Sequence, residues 1–360
     1  MAQEEEIREI TLPKPDDWHH HLRDGPVLVN TVHAAQKQFK RAIVMPNLTP
    51  PVTNLKQAKE YKNRILDALQ MATQTVNTQT FQPLMTLYLT DDTTPEMIKE
   101  AANSGDVAAV KLYPAGATTN SDSGVTNYDK IRSSLEAMQH YGLPLCVHGE
   151  VTHPKIDVFD RERVFVKEML PKLRNFAPQL KIVLEHLTTK DAVEAVVHGD
   201  SRLAGTITPQ HLLATRNDLL VGGIKPHLYC LPILKSEDDR LALIDAIRSG
   251  CNRLFLGTDS APHSVTRKES ACGCAGVFSA GTALELYATA FEEAGMLYRL
   301  EAFASMHGAS FYGLPFNKEM VTLRREPLHV PETYPFGDEV VVPFRAGSIL
   351  NWKLVAEAAS

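Results

Sequence analysis

The feature that most restricts the fold is an alternation repeated along most of the chain. Eight short apolar runs, DDWHHHL, RAIVMPN, LMTLYLT, AAVKLYP, LPLCVHGE, LKIVLEH, LAGTITP and RLFLGTDS, are separated by longer segments with helical spacing. In one such segment Leu55, Ala58, Tyr61, Ile65 and Leu69 share a stripe; in another Ile131, Leu135 and Met138 do so before a stop at Gly142. A third opens at Ser236 with an acidic first turn and ends at Gly250. Strands that alternate with helices form a parallel sheet, and eight such units close on themselves as a (β/α)8 TIM barrel. No repeat, low-complexity tract or linker divides residues 10–315. We therefore expect the barrel over residues 1–315. Residues 316–360 are expected as a short C-terminal appendage, in which EVVVPFRAGSILNWKLV forms one or two strands packed outside the barrel.

The 360 residues suffice for one large α/β domain, and 44% hydrophobic with 22% charged residues is ordinary globular composition. A formal net charge of -6 argues against a nucleic-acid binder with a broad basic surface. No apolar run is long enough to span a membrane. The acidic start MAQEEEIREI reads as neither a signal nor a transit peptide. Five sparse cysteines, Cys146, Cys230, Cys251, Cys272 and Cys274, fit reduced thiols in a cytoplasmic setting. The Cys272–Cys274 pair, without further ligands nearby, is read as loop structure.

Active sites of such barrels lie where strands end. Reading each run to its end yields Asn47, Lys111, His148, His186 and Asp259, and the first run contributes His19, His20 and His21. Taken singly, each has a structural explanation: a hydrogen-bonded histidine, a capping aspartate, a turn asparagine, a solvated lysine. The barrel brings them to one face, and that convergence points to a metal site. Side chains alternate along a strand, so His19 and His21 share one side and His20 takes the other. We expect the His19/His21 pair in the barrel mouth and His20 packed toward the helices. Arg23, two residues beyond His21, is expected in the same cavity, where a guanidinium suits a carboxylate; a salt bridge to Asp24 is the structural alternative.

Four histidines and an aspartate exceed what one catalytic zinc uses. Two ions would use them all, at the roughly 3.5–4 Å spacing of binuclear sites. Ions that close need bridging anions. Hydroxide supplies one, and Lys111 supplies the other if its amine is carboxylated by CO2.

These stretches closely resemble the dihydroorotases of the amidohydrolase superfamily, in the shorter class found in bacteria and plants. The matching segments are PDDWHHHLRDG, RAIVMPNLTPPVTN, AAVKLYPAGATTNSDSGVT, LCVHGEVTH, LEHLTTKDA, ITPQHLL, KPHLYCLPILK and FLGTDSAPHSVTRKESACGCAG. The resemblance implies two Zn2+ per chain, bridged by carboxylated Lys111 and hydroxide. His19, His21 and Asp259 would hold the more buried ion, and His148 and His186 the second. It further implies that Arg23, Asn47 and His263 bind a substrate carboxylate, and that backbone groups of Leu231 and Ala275 meet a pyrimidine ring. Thr118 and Thr119, in the loop AGATTNSDSG, would close over the substrate. The family usually carries an aliphatic residue where His20 stands; that side faces away from the ligands.

The expected activity is reversible cyclisation of N-carbamoyl-L-aspartate to L-dihydroorotate, the ring-closing step of pyrimidine synthesis, with Asp259 shuttling the proton. Related cyclic amide hydrolases such as hydantoinases share the metal centre but need no carboxylate clamp, and Arg23 with Asn47 favours the acidic substrate. A barrel retained only for partner binding would have lost ligands, which this chain has not. The implied partners are the small-molecule substrate and a second copy in a homodimer, with no nucleic acid or membrane.

Overall fold

Helix boundaries read from the sequence recur in the structure, a computed structural model described for residues 7–73 and 81–355. The acidic residues 1–6 lie outside the described residues. Ser236 accepts a hydrogen bond from Asp239 N at the head of helix Glu237–Arg248, whose first turn holds Glu237, Asp238 and Asp239. Helix Arg132–Tyr141 ends at Gly142, which takes φ +70° and caps the last turn. Helix Leu55–Thr73 buries Ala58, Tyr61, Ile65 and Leu69, while Leu55 at its head stays half-buried.

Strand β1 (Glu9–Pro13) stands apart from the eight that follow. These are β2 (Asp16–His20), β3 (Arg41–Val44), β4 (Gln82–Leu89), β5 (Val107–Leu112), β6 (Leu145–His148), β7 (Ile182–Glu185), β8 (Leu203–Ile207) and β9 (Leu254–Leu256). They lie side by side in that order, each parallel to the next. The ring closes just past β9. Asp259 N donates to His19 O at 2.9 Å, and His21 N donates to Ser260 O at 3.1 Å. Asp17 reinforces the seam, its carboxylate accepting from Thr258 N at 2.8 Å and Thr258 Oγ1 at 2.5 Å. The chain is thus the (β/α)8 barrel expected.

Trp18, Ile43, Ala109, Cys146, Val183 and Phe255 form one buried cluster. Lys111, His148 and Glu185 each follow a member by two residues, so alternation carries the same inward face up to the mouth. Beneath the cluster, Tyr312 of helix His307–Tyr312 stacks on Trp18 with ring centroids 4.6 Å apart. A Cβ at Gly308 would lie 2.0 Å from Trp18 Nε1, so only glycine lets this helix approach.

Past Leu314 the chain builds more than the one or two strands expected. Glu339–Val341, Ile349–Leu350 and Lys353–Val355 are all strands, and Met320–Arg324, Leu328–His329 and Tyr334–Phe336 precede them. Their short lengths and half-exposed faces hide the pattern from a sequence reading. β1 pairs antiparallel with Met320–Arg324, which pairs with Lys353–Val355. Leu323 and Trp352 are fully buried in the main core, tying this small sheet to the barrel.

Candidate metal centre and substrate cavity

His19 and His21 converge as the strand reading expects. Their Nε2 atoms are 3.2 Å apart, and Asp259 Oδ1 lies 3.2 Å from the first and 3.1 Å from the second. His20 turns the other way: its Nδ1 is 2.7 Å from Asp17 Oδ2, and its ring faces Phe39. Simple alternation is not the whole reason. Trp18 also points inward, so two adjacent side chains share a side. The β2–β3 register shifts between Asp17 and His20, and a bulge of this kind re-aims the residues past it.

The remaining ligand candidates meet this pair. The His186 ring is 5.0 Å from that of His19 and 4.7 Å from that of His148. Lys111 is fully buried, its Nζ 4.6 Å from the Tyr113 ring centroid. Ligand atoms cluster in two groups that share His19: His19, His21 and Asp259, and His19, Glu185 and His186. Each set offers the buried imidazole and carboxylate donors that a dication takes, while His148, with its Nε2 against Glu150, belongs to neither.

Glu185 belongs to the second group and was missed from the sequence, although alternation from Val183 points it inward. Its Oε1 is 3.0 Å from His19 Nδ1, without hydrogen-bond alignment, and its Oε2 contacts Lys111 Nζ. Glu150, also missed, sits 2.7 Å from His148 Nε2. A carboxylate behind a ligand histidine fixes which nitrogen faces a metal. Further back, the buried Glu162 accepts from the backbone and hydroxyl groups of Thr188 and Thr189.

Charge follows this layout. Burial works against a proton on His19, but Glu185 and then Asp259 outweigh it and raise the pKa to about 9. Burial, with Arg23 and His19 adding to it, pulls His21 down to about 3 despite its bond to Asp259. His186 is held well below the usual range by burial and by His148. The carboxylates thus favour a proton on His19, and burial favours neutral rings at His21 and His186.

Arg23, Asn47, His263, Leu231 and Ala275 all come to the same place; every one but His263 lines the cavity above the histidines, together with Tyr113, Thr118 and Thr119. Arg23 Nη2 is 3.0 Å from His263 Nε2, and Nε donates to Pro262 O at 3.0 Å. The Asp24 salt bridge does not form; Asp24 pairs with Arg64 at 2.8 Å. Among the described residues no acidic side chain pairs with Arg23. Burial and then Arg23 depress His263 to about 2, so its neutral ring accepts the bond. The Tyr113 hydroxyl is buried without a partner.

The loop Ala115–Gly124 lies over the cavity. Asn47 Nδ2 donates to Thr119 O at 3.1 Å, Asn120 Nδ2 donates to Asn47 O at 3.1 Å, and Thr119 Oγ1 donates to Ala275 O at 3.3 Å. These bonds hold the loop down through backbone carbonyls, which a sequence does not display.

Three functional candidates carry positive φ without being glycine: Arg23 at 60°, His186 at 46° and Asp259 at 45°. Such backbone is uncommon outside glycine and clusters at functional sites.

A family model described as the amidohydrolase family matches residues 10–323. The chain is 59% identical over 345 residues to the dihydroorotase of Halorhodospira halophila, covering 96% of this chain and 98% of that protein. Its fold superposes on the dihydroorotase of Campylobacter jejuni with a TM-score of 0.86 at 37% identity, over 96% of this chain and 97% of the other. It superposes on the Saccharomyces cerevisiae dihydroorotase in complex with 5-fluoroorotic acid with a TM-score of 0.87 at 33% identity, over 97% and 99%.

Proposed function

The chain belongs to the amidohydrolase family and, within it, to the dihydroorotases; from that premise we propose that it interconverts N-carbamoyl-L-aspartate and L-dihydroorotate at two zinc ions, in the de novo synthesis of pyrimidines. His19, His21 and Asp259 would hold one ion and His148 and His186 the other, with Lys111, carboxylated on Nζ, as a further ligand. Bound zinc supplies Lewis acidity for the ring carbonyl and lowers the pKa of water.

The chain's own groups do the rest. Arg23, Asn47 and His263 hold the substrate carboxylate, and backbone groups of Leu231 and Ala275 meet the ring. In hydrolysis Asp259 accepts the proton of the attacking water and hands it to the departing ring nitrogen; ring closure runs the same steps backwards. Thr118 and Thr119 exclude water from the reacting carbonyl when their loop is down. The catalytic unit is the barrel of residues 1–315, with 316–360 as its extension. The assembly is a homodimer, and the five free cysteines suit the cytoplasm.

The observation that carries this reading is Arg23: a half-buried guanidinium facing the ligand cluster, with no acid among the described residues paired to it. Charged hydrogen bonds of this kind contribute roughly 1.5–3 kcal/mol, so Arg23→Met should lose at least about tenfold in kcat/KM for L-dihydroorotate. Zinc content should not change. Steady-state kinetics on dihydroorotate and on uncharged dihydrouracil decide the matter. Wild-type enzyme that prefers dihydrouracil, or an Arg23→Met variant as efficient as wild type, overturns the substrate assignment.

A further inference from the structure

Lys268 is a second buried cation near this cavity, and no mechanism above uses it. It ends the short helix Val265–Lys268 and is 3% exposed. Among the described residues no carboxylate pairs with it. Its ammonium instead donates to three backbone carbonyls: Tyr229 O at 2.7 Å, Gly276 O at 2.7 Å and Cys274 O at 2.9 Å. An ammonium has three donors, and all three are spent on main chain. Burial pulls its pKa down to about 8, which leaves it charged at neutral pH.

The location of these carbonyls gives the arrangement its meaning. Cys274 and Gly276 flank Ala275, and Tyr229 lies two residues before Leu231. One point charge therefore ties together the two loop segments whose backbone forms one wall of the cavity. Gly276 N donates to Tyr229 O at 2.9 Å, closing the same junction directly. From the other side, a Cβ at Gly276 would lie 2.3 Å from Ala261 O and 3.0 Å from the His263 ring, so the strip is pressed between Lys268 and the carboxylate clamp. With the carbonyls on either side turned to the ammonium, Ala275 O is left for Thr119 Oγ1 of the lid.

We propose that Lys268 is a positioning residue: it sets the aim of the Ala275 and Leu231 backbone, and so the affinity for the substrate ring, without touching substrate or metal ligands. This rests on the reading of Ala275 and Leu231 as the ring-facing wall. Lys268→Met keeps the stem and removes every donor.

Loss of about one hydrogen bond's worth of alignment predicts a KM for L-dihydroorotate raised about tenfold, with kcat within about threefold of wild type. Affinity for 5-fluoroorotic acid should fall by the same factor, and zinc content should equal that of wild type. Lys268→Gln, with two donors, should fall between. Unchanged KM and 5-fluoroorotic acid affinity in Lys268→Met overturn the proposal, as does a loss of zinc, or failure of both variants to fold, since either makes the residue a general structural support. Hydrogen exchange in the wild-type enzyme tests the underlying reading separately. Protection of residues 229–232 and 272–276 by 5-fluoroorotic acid upholds the wall; no protection there removes the wall, and this proposal with it.

Discussion

The floor and the wall of the cavity present the same polar chemistry on different supports. On the floor, the candidate ligands sit at or just past strand ends, and buried carboxylates stand behind them: Glu150 at His148, Glu185 at His19. On the wall, Arg23, Asn47, His263, Ala275 and Thr119 belong to loops, and apart from the Arg23–His263 bond what fixes them is main chain, through Pro262 O, Thr119 O and the three carbonyls around Lys268. The floor is braced by charge and the wall by backbone. Damage to the floor should therefore appear as lost metal. Damage to the wall should leave metal in place and change how substrate is held.

The widest separation comes from the histidine triplet. His19→Ala, His21→Ala and Lys111→Ala should each lose zinc, and with it several kcal/mol of transition-state stabilisation, or at least about a thousandfold in kcat. His20→Leu should keep its zinc and turnover and lose only about 1 kcal/mol of stability with its bond to Asp17. Metal analysis beside thermal unfolding reads both. If His20→Leu loses zinc as fully as its neighbours, the division between floor and outer face is wrong.

A smaller effect belongs to the braces. Glu185→Gln keeps the shape and removes the charge, and should weaken zinc binding by about 10–100-fold. Competition with a chelator on metal-stripped protein measures this without any turnover. Unchanged affinity would mean that Glu185 merely neutralises a lysine awaiting its carboxyl group.

The lid should give the smallest change. Thr118→Ala with Thr119→Ala should lower kcat roughly tenfold with zinc intact, and should speed hydrogen exchange across Ala115–Gly124. A double variant with full kcat and unaltered exchange would make the loop a passive cover.

The floor was far more legible in the sequence than the wall. Strand ends are marked by apolar runs, so His148, His186, Lys111 and Asp259 could be read by position alone. His19 and His21 could be paired correctly, yet the bulge that brings His19 inward beside Trp18 leaves no trace in residue types. Glu185 and His186 are adjacent, and alternation allows only one of them inward; both reach the site because the glutamate ends the strand facing in and a positive φ at His186 turns the histidine back. For the wall, Arg23, Asn47, His263, Leu231 and Ala275 drew their roles mainly from family resemblance. Lys268 gave no signal, since its partners are carbonyls that every residue possesses. The small outer sheet was half hidden for a similar reason: β1 and Met320–Arg324 pair from opposite ends of the chain.

The seam of the barrel has a consequence for the order in which the molecule comes into being. His19 and Asp259 belong to segments that meet only when the ring closes. Ribosomes add roughly 5–20 residues per second, so the histidines emerge tens of seconds before the aspartate that completes their site. Throughout that interval the growing polypeptide carries a histidine-rich segment without its closing acid. The metal centre is a property of the closed ring, which no fragment that stops short of Asp259 can inherit.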